Sequence, residues 1–481
     1  MKKVLLAAAA LSFVLGAAAP GLCQSTQTVI LAERAFTGRE FVENVAIIVD
    51  RGVIRDVVPA SDYAPIKGAR VIDAKGMTVA PGFIDSHVHV LGLPLEVLKK
   101  TAQRGWGRLA EESISQAPGN REQLLKCGIT TVIDMGSTVP GMLSLEKGLR
   151  SGKLLGSKLY YCGPLFTAPN GHPAGTIYRG QHELFDNATV QVETPGPALA
   201  KVTQLAGQGV SFIKLVYDDG TNYGKKVPRL DRGLAGQITA EAHSRGLPAI
   251  AHLGSVEEAF SDMLSCGVDG VEHCFAYNGS DAVFREAAAR GVIFTPTLSI
   301  YEIFATATMP RMMQSVAKAR ECGVTIAAGT DFPSSKFMTA GEGFYRELEL
   351  LEEAGLSRTE VLEAATANGA RKIGKDTEIG AIAPGRAADI LFFDGDIREG
   401  ALSPERVRRV ILQGKEVVVD GAVPAESRKG LSRRPLMLIP YGFYETLSGV
   451  SVGGSFLDFN LFGTGAAIGL NATYSFINCF A

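Results

Sequence analysis

Eight apolar, strand-like runs recur through the middle of this chain, near residues 83–90, 129–135, 158–162, 211–216, 248–252, 268–273, 292–295 and 324–330. Helix-like stretches separate most of them, at 121–126, 197–206, 234–245, 256–266, 281–289 and 311–322. Parallel strands need a long crossover, usually a helix, and eight such units are the pattern of a (β/α)8 barrel. The expected fold class is therefore α/β, with a TIM barrel over residues 81–379. A doubly wound open sheet is the alternative. No Gly-x-Gly-x-x-Gly follows the first run, so a dinucleotide-binding version has no support.

Both flanks of that section are β-rich. Short strands are expected at 28–31, 45–49, 53–57, 70–72 and 78–80, and again at 388–393, 407–412 and 416–419. Together they predict one small β-sandwich domain assembled from residues 25–80 and 380–430. Helices over 344–354 and 359–370 lead from the barrel back to it. Beyond, residues 431–481 turn Gly- and aromatic-rich with loose alternation, faintly like the opening strands of an outer-membrane β-barrel. A closed barrel of that kind takes at least about eight strands, and there is room for about three.

The first residues carry a separate message. Met1-Lys2-Lys3 is a positive head, Val4 to Ala19 is apolar, and small residues precede Gln24. This reads as a signal peptide over residues 1–24 and places the chain across an inner membrane, in the periplasm. Lys+Arg number 48 against 50 Asp+Glu, so no basic face for nucleic acid is expected. Membrane contact is expected only through the C-terminal tail, and the chain is expected to act as a homo-oligomer on a small molecule. The seven cysteines show no Cys-x-x-Cys and no dense framework, which fits buried small side chains better than a disulfide scaffold.

Chemistry concentrates at the ends of the runs. His87 and His89 close the first, and alternation along a strand turns both imidazoles to one face. His252 closes the fifth, His273 the sixth and Asp331 the eighth. A lone His-x-His fits two unrelated surface histidines as well. The set of four histidines and a carboxylate, all at strand C-termini, fits a divalent metal site. Lys214 lies within Phe212-Ile213-Lys214-Leu215-Val216, a run expected to be buried on both faces. Such a lysine either snorkels to solvent or needs a partner or a chemical change.

These segments resemble the amidohydrolase superfamily over most of residues 26–421. The motifs are Ala80-Pro81-Gly82-Phe83-Ile84-Asp85-Ser86-His87-Val88-His89, Phe212-Ile213-Lys214, His252, Gly270-Val271-Glu272-His273 and Ala328-Gly329-Thr330-Asp331. A return into the sandwich through Ile379 to Ile390 completes them. The resemblance implies two divalent ions, Zn2+ by preference. His87, His89 and Asp331 would hold one, and His252 and His273 the other. Lys214 would carry a CO2-derived carbamate between them, a ligand that the superfamily's mononuclear members lack. Asp331 would be the general base toward the attacking hydroxide and the acid toward the leaving amine.

The loop Phe166-Thr167-Ala168-Pro169-Asn170-Gly171-His172-Pro173 follows the third run. It resembles a Gly-Gly-His loop of the prolidase-like and imidazolonepropionase-related branch, which makes His172 the candidate substrate-binding residue. Asn170 departs from that pattern, as does Tyr217-Asp218-Asp219 after Lys214. The implied activity is a dipeptidase or N-acyl-amino-acid hydrolase. A lactonase or phosphotriesterase on the same metals is the alternative, and a catalytically inactive binding module is the reading outside enzymes.

Overall fold

The computed structural model describes residues 27–102, 106–178, 187–254, 257–273 and 281–424, and the backbone of three strands between 437 and 476. The segment read as a signal peptide lies outside the described residues. Four strands open the fold: β1 (Gln27–Phe36), β2 (Phe41–Asp50), β3 (Val53–Pro59) and β4 (Arg70–Pro81). The central section supplies β5 (Phe83–Val88), β6 (Ile129–Asp134), β7 (Lys158–Tyr161), β8 (Leu165–Thr167), β9 (Thr189–Gln191), β10 (Ile213–Tyr217), β11 (Ala249–Leu253), β12 (Gly270–Glu272), β13 (Ile293–Thr295) and β14 (Thr325–Ile326). Then come β15 (Ile390–Asp394), β16 (Val407–Leu412) and β17 (Lys415–Val419).

Strands from both flanks share one seven-stranded sheet, in the order β17-β16-β15-β4-β1-β2-β3. Its buried side chains, among them Ile30, Ile47, Ile54, Ile72, Phe392 and Ile411, form a core of their own. Strand β4 is the joint, parallel to β1 on one side and antiparallel to β15 on the other. Lys158 of β7 reaches across from the central section to Asp389 at 2.5 Å, and Asp389 also accepts from Gln413 N at 2.9 Å.

The central strands are parallel and alternate with helices, in the runs β5-β6-β7 and β9-β8-β10-β11-β12-β13-β14. Where β14 meets β5, Ser86 N donates to Ala328 O at 2.9 Å and Asp331 N to His87 O at 2.7 Å. Where β7 meets β10, Ser211 N donates to Tyr161 O at 2.8 Å. Strands run to 3–6 residues over most of this section and are buried at nearly every position, as expected where helices cover one face and the interior fills the other.

Two details depart from expectation. The short strands β8 and β9 extend the sheet beside β10. The expected helix 359–370 is instead two helices, Arg358–Ala364 and Ala367–Lys372. It breaks because the carbonyls of Ala364 and Ala365 accept from Ala328 N and Ile84 N and not from the next turn. The three tail strands, Met437–Glu445, Gly449–Asp458 and Ile468–Phe476, pair antiparallel in sequence order. Among the described cysteines, 127 and 162 are buried and 266 and 322 half-buried, all as free thiols.

Candidate metal centre

Alternation along the buried strands sorts side chains between the helix-covered face and the interior. Ile213 and Leu215 of β10, Ala249, Ala251 and Leu253 of β11, and Val271 of β12 all join the large outer core. Their alternates Lys214, Ile250, His252, Gly270 and Glu272 therefore face inward. Register then lines these positions up, with Val216 beside His252 and His252 beside Glu272. Beneath His252 and Lys214 lies an apolar floor that includes Ile84, Phe212 and Ile250.

Five imidazoles run across the upper end in one file. Ring centroids lie 5.5 Å apart from His89 to His87, 4.8 Å from His87 to His273, 4.5 Å from His273 to His252 and 4.9 Å from His252 to His172. Asp331 Oδ1 lies 3.2 Å from His89 Nε2 and 3.6 Å from His87 Nε2. Ligand atoms of His87, His273 and Asp331 fall within 4.8 Å of one another, and so do those of His172, Asp218 and His252. The first group takes His273 where the resemblance implied His89, and the second joins His172 and Asp218 to His252, which the resemblance had grouped with His273 and the Lys214 carbamate.

Each ring is oriented from behind. His87 Nδ1 meets Glu272 Oε2, His89 Nδ1 faces Gly136 O at 3.3 Å, and His273 Nδ1 faces Thr297 Oγ1 at 3.0 Å. His172 Nδ1 pairs with Thr176 Oγ1 at 2.7 Å while its ring stacks on Tyr223 at 4.3 Å. His252 turns the other way, with Nε2 on Asp218 Oδ2 at 3.0 Å. Such outer partners are what fix tautomer and aim in metal-binding histidines. The backbone contributes strain as well. His273, Thr297 and Asp331 have φ of 73°, 52° and 60°, a region disfavoured for side chains with a Cβ and common at functional sites. Gly329 approaches so closely that a Cβ there would lie 2.8 Å from His87 Cβ, so the motif Gly329-Thr330-Asp331 tolerates no side chain at its first position.

Burial decides the protonation states. It holds His87 and His273 well below the usual histidine range, and pushes His172 down to about 3, so these rings are neutral and have a lone pair to give. For His89 burial is outweighed by the hydrogen bond and charge of Asp331, and its pKa rises. Asp331 is lowered in turn by His89 and His87 against the pull of burial. Lys214 is lowered by burial, with Glu272, Cys162 and Asp331 opposing. Its amine has Met135 Sδ at 3.8 Å as its hydrogen-bonding neighbour and forms no ion pair among the described residues. Lys214 thus lies inside the fold and does not snorkel to solvent.

The sequence reading did not single out Asp218, Glu272, Thr297, Lys372 or Tyr223 for this site. Asp218 stood in the segment noted only as a departure after Lys214, and Glu272 inside a quoted motif. Lys372 and Thr297 carried no signal short of the three-dimensional contacts.

An α/β fold whose strand ends bring neutral imidazoles and carboxylates together defines the class: a hydrolase built around a metal site. The chain belongs to the amidohydrolase family, whose model matches residues 78–417. With its relatives, that membership supports a metal-dependent hydrolase acting on C–N bonds. An imidazolonepropionase of Clostridium tetani is 25% identical over 391 residues, covering 73% of this chain and 85% of the relative. Among solved structures, a Xaa-Pro dipeptidase with bound methionine superposes with a TM-score of 0.69 at 23% identity, over 81% of this chain and 99% of that one. An A. niger ochratoxinase superposes with a TM-score of 0.70 at 19% identity, over 83% and 97%. These likenesses imply a TIM-barrel fold with a β-sandwich domain.

Proposed function

We propose that this chain hydrolyses the amide bond of a dipeptide or N-acyl amino acid, using two divalent ions, Zn2+ by preference, in one closed eight-stranded barrel. The observation that carries the reading is the file of five imidazoles ending on Asp331, four of them buried and His89 half-buried, beside a buried lysine amine that has no ion pair among the described residues. The donor set suits the ions: neutral nitrogens, an anionic Asp331, and a His89–Asp331 pair whose shared proton a cation would displace. His87, His89 and Asp331 would hold one ion, and His252 and His273 the second. Lys214 would contribute as a carbamate, because an ammonium has no lone pair whereas a carbamate offers two anionic oxygens. When bound, the ions would polarise the scissile carbonyl and acidify a water.

The chain's own residues do the rest. Asp331, anionic and held by two imidazoles, takes the proton of the attacking water as the new C–O bond forms. It returns that proton to the nitrogen as the C–N bond breaks. His172, neutral and clamped between Tyr223 and His252, faces the substrate as a hydrogen-bond partner for its carbonyl or developing oxyanion. The Lys2-Lys3 head and the apolar run after it support export and work in the periplasm.

The test is amino-acid release from a library of dipeptides and N-acyl amino acids, by protein loaded with Zn2+ and bicarbonate. Release that vanishes in Asp331→Asn supports the reading. Silence from protein carrying about two metals per chain would sink the peptide substrate and turn the search to lactones and phosphotriesters.

A further inference from the structure

Behind His87 lies an ion pair that the proposed chemistry does not use. Glu272 and Lys372 have fully buried side chains, joined at 2.6 Å between Lys372 Nζ and Glu272 Oε1. Lys372 is the last residue of the helix Ala367–Lys372, and its ammonium also donates to Ser86 O at 2.9 Å and Thr295 Oγ1 at 2.7 Å. The ammonium thus ties together β5, β12 and β13, through hydrogen bonds to Ser86 and Thr295 and the ion pair with Glu272. The second carboxylate oxygen, Glu272 Oε2, meets His87 Nδ1. Two charges taken wholly out of water are a poor way to stabilise a fold, since a well-packed apolar pair commonly does as well. Their retention here calls for a role in orientation.

We propose that Lys372 and Glu272 are positioning residues for the metal centre: the ammonium fixes the carboxylate, and the carboxylate fixes His87 as its Nδ1–H tautomer. An ionised carboxylate only accepts, so the ring nitrogen it meets must carry the hydrogen. The other nitrogen, Nε2, then has its lone pair directed toward Asp331, 3.6 Å away. Strand β5 is braced from the same side, because Asp85 accepts from Thr330 N at 3.0 Å and Thr330 Oγ1 at 2.7 Å. The ring can neither flip nor change tautomer without breaking the Glu272 contact. A ligand is thereby set before any ion arrives, and outer partners of this type are worth about 10- to 100-fold in metal affinity.

The inference rests on His87 being a ligand, so zinc binding by the unaltered chain is measured first, by competition with a chromophoric chelator. Single substitutions would strand a buried charge, so the informative variant is Glu272→Met with Lys372→Met, which removes both charges and the acceptor. We expect it to bind zinc about 10- to 100-fold more weakly and to shift the absorption of bound Co2+, while Glu272→Gln with Lys372→Met, which restores an acceptor, recovers part of the affinity. Equal zinc affinity in the unaltered chain and the double Met variant would overturn the positioning role alone. No zinc binding by the unaltered chain would overturn the metal site and this role with it. Should the double Met variant fail to fold, histidine 15N resonances of the metal-free unaltered chain decide the matter. An Nδ1–H tautomer at His87 supports the proposal, and an Nε2–H tautomer ends it.

Discussion

Asp218 Oδ2 lies 3.0 Å from Nε2 of His252, so the carboxylate after β10 aims the imidazole at the end of β11. The same carboxylate is anchored by Gly220 N at 2.7 Å, and its charged form is favoured by His252 despite burial. Asp218→Ala should therefore loosen His252, with about 10- to 100-fold weaker retention of the second metal. Metal content after dialysis against graded chelator measures it; a variant that keeps two ions as firmly as the parent would show that Asp218 does not orient a ligand.

Asp331→Asn keeps the size and one oxygen but neither the charge nor the basicity. Turnover should fall below about a tenth of the parent value, with folding little changed. Steady-state kinetics beside thermal melts of the metal-loaded protein separate the two effects.

His172→Asn should lower kcat/KM by about 10- to 100-fold, with metal content unchanged, since one hydrogen bond made in the transition state is lost. A matching loss of metal would instead place His172 among the ligands, beside Asp218 and His252, where their atoms already converge.

Chelation should lower the melting temperature as well as abolish activity. A ligand at 100 times its dissociation constant adds about 2.7 kcal/mol to the folded state. Readdition of Zn2+ should restore both readouts together, and a melt indifferent to chelator would argue against resident ions.

Glu347 supplies a pH prediction away from the imidazoles. Buried in the helix Glu342–Glu353, it accepts from Leu298 N at 3.0 Å and Ser299 N at 2.6 Å, capping the helix Leu298–Phe304. Burial raises its pKa from 4.5 to about 7, against the pull of those two amides. A raised folded-state pKa means that the native chain holds a proton the unfolded chain has lost. The contribution is full below the unfolded value and fades as pH rises through about 7. The melting-temperature difference between the parent and Glu347→Gln should change most between pH 4.5 and 7, turning against the parent as pH rises. A flat difference across that window would mean the carboxyl is ionised throughout.

Much of the site could be read beforehand because its residues sit at the ends of long apolar runs, where period and position speak together. His87, His89, His252, His273 and Asp331 all stood at such ends. The strands β8 and β9, at three residues each, are too short for any period to show. The break near Ala365 depends on strands some 40 and 280 residues away in sequence, whose amides claim the helix's last carbonyls. Lys372 is the sharper lesson. It lies just past the expected helix 359–370 and carried no signal there, and only the convergence of β5, β12 and β13 on its ammonium shows its place. Asp218 stood out only as a departure from the family pattern, because its meaning lies in a neighbouring strand's histidine.

Strand β4, paired with β1 on one edge and with β15 on the other, also sets a timetable for the chain's birth. Residues 70–81 leave the ribosome long before residues 390–394, so one edge of β4 stays without its partner while the whole central section is being made. An open edge of that kind invites pairing with another chain, and so distant a contact closes slowly. Until residues 390–394 have been made, that edge of β4 has no native strand to pair with and is open to others.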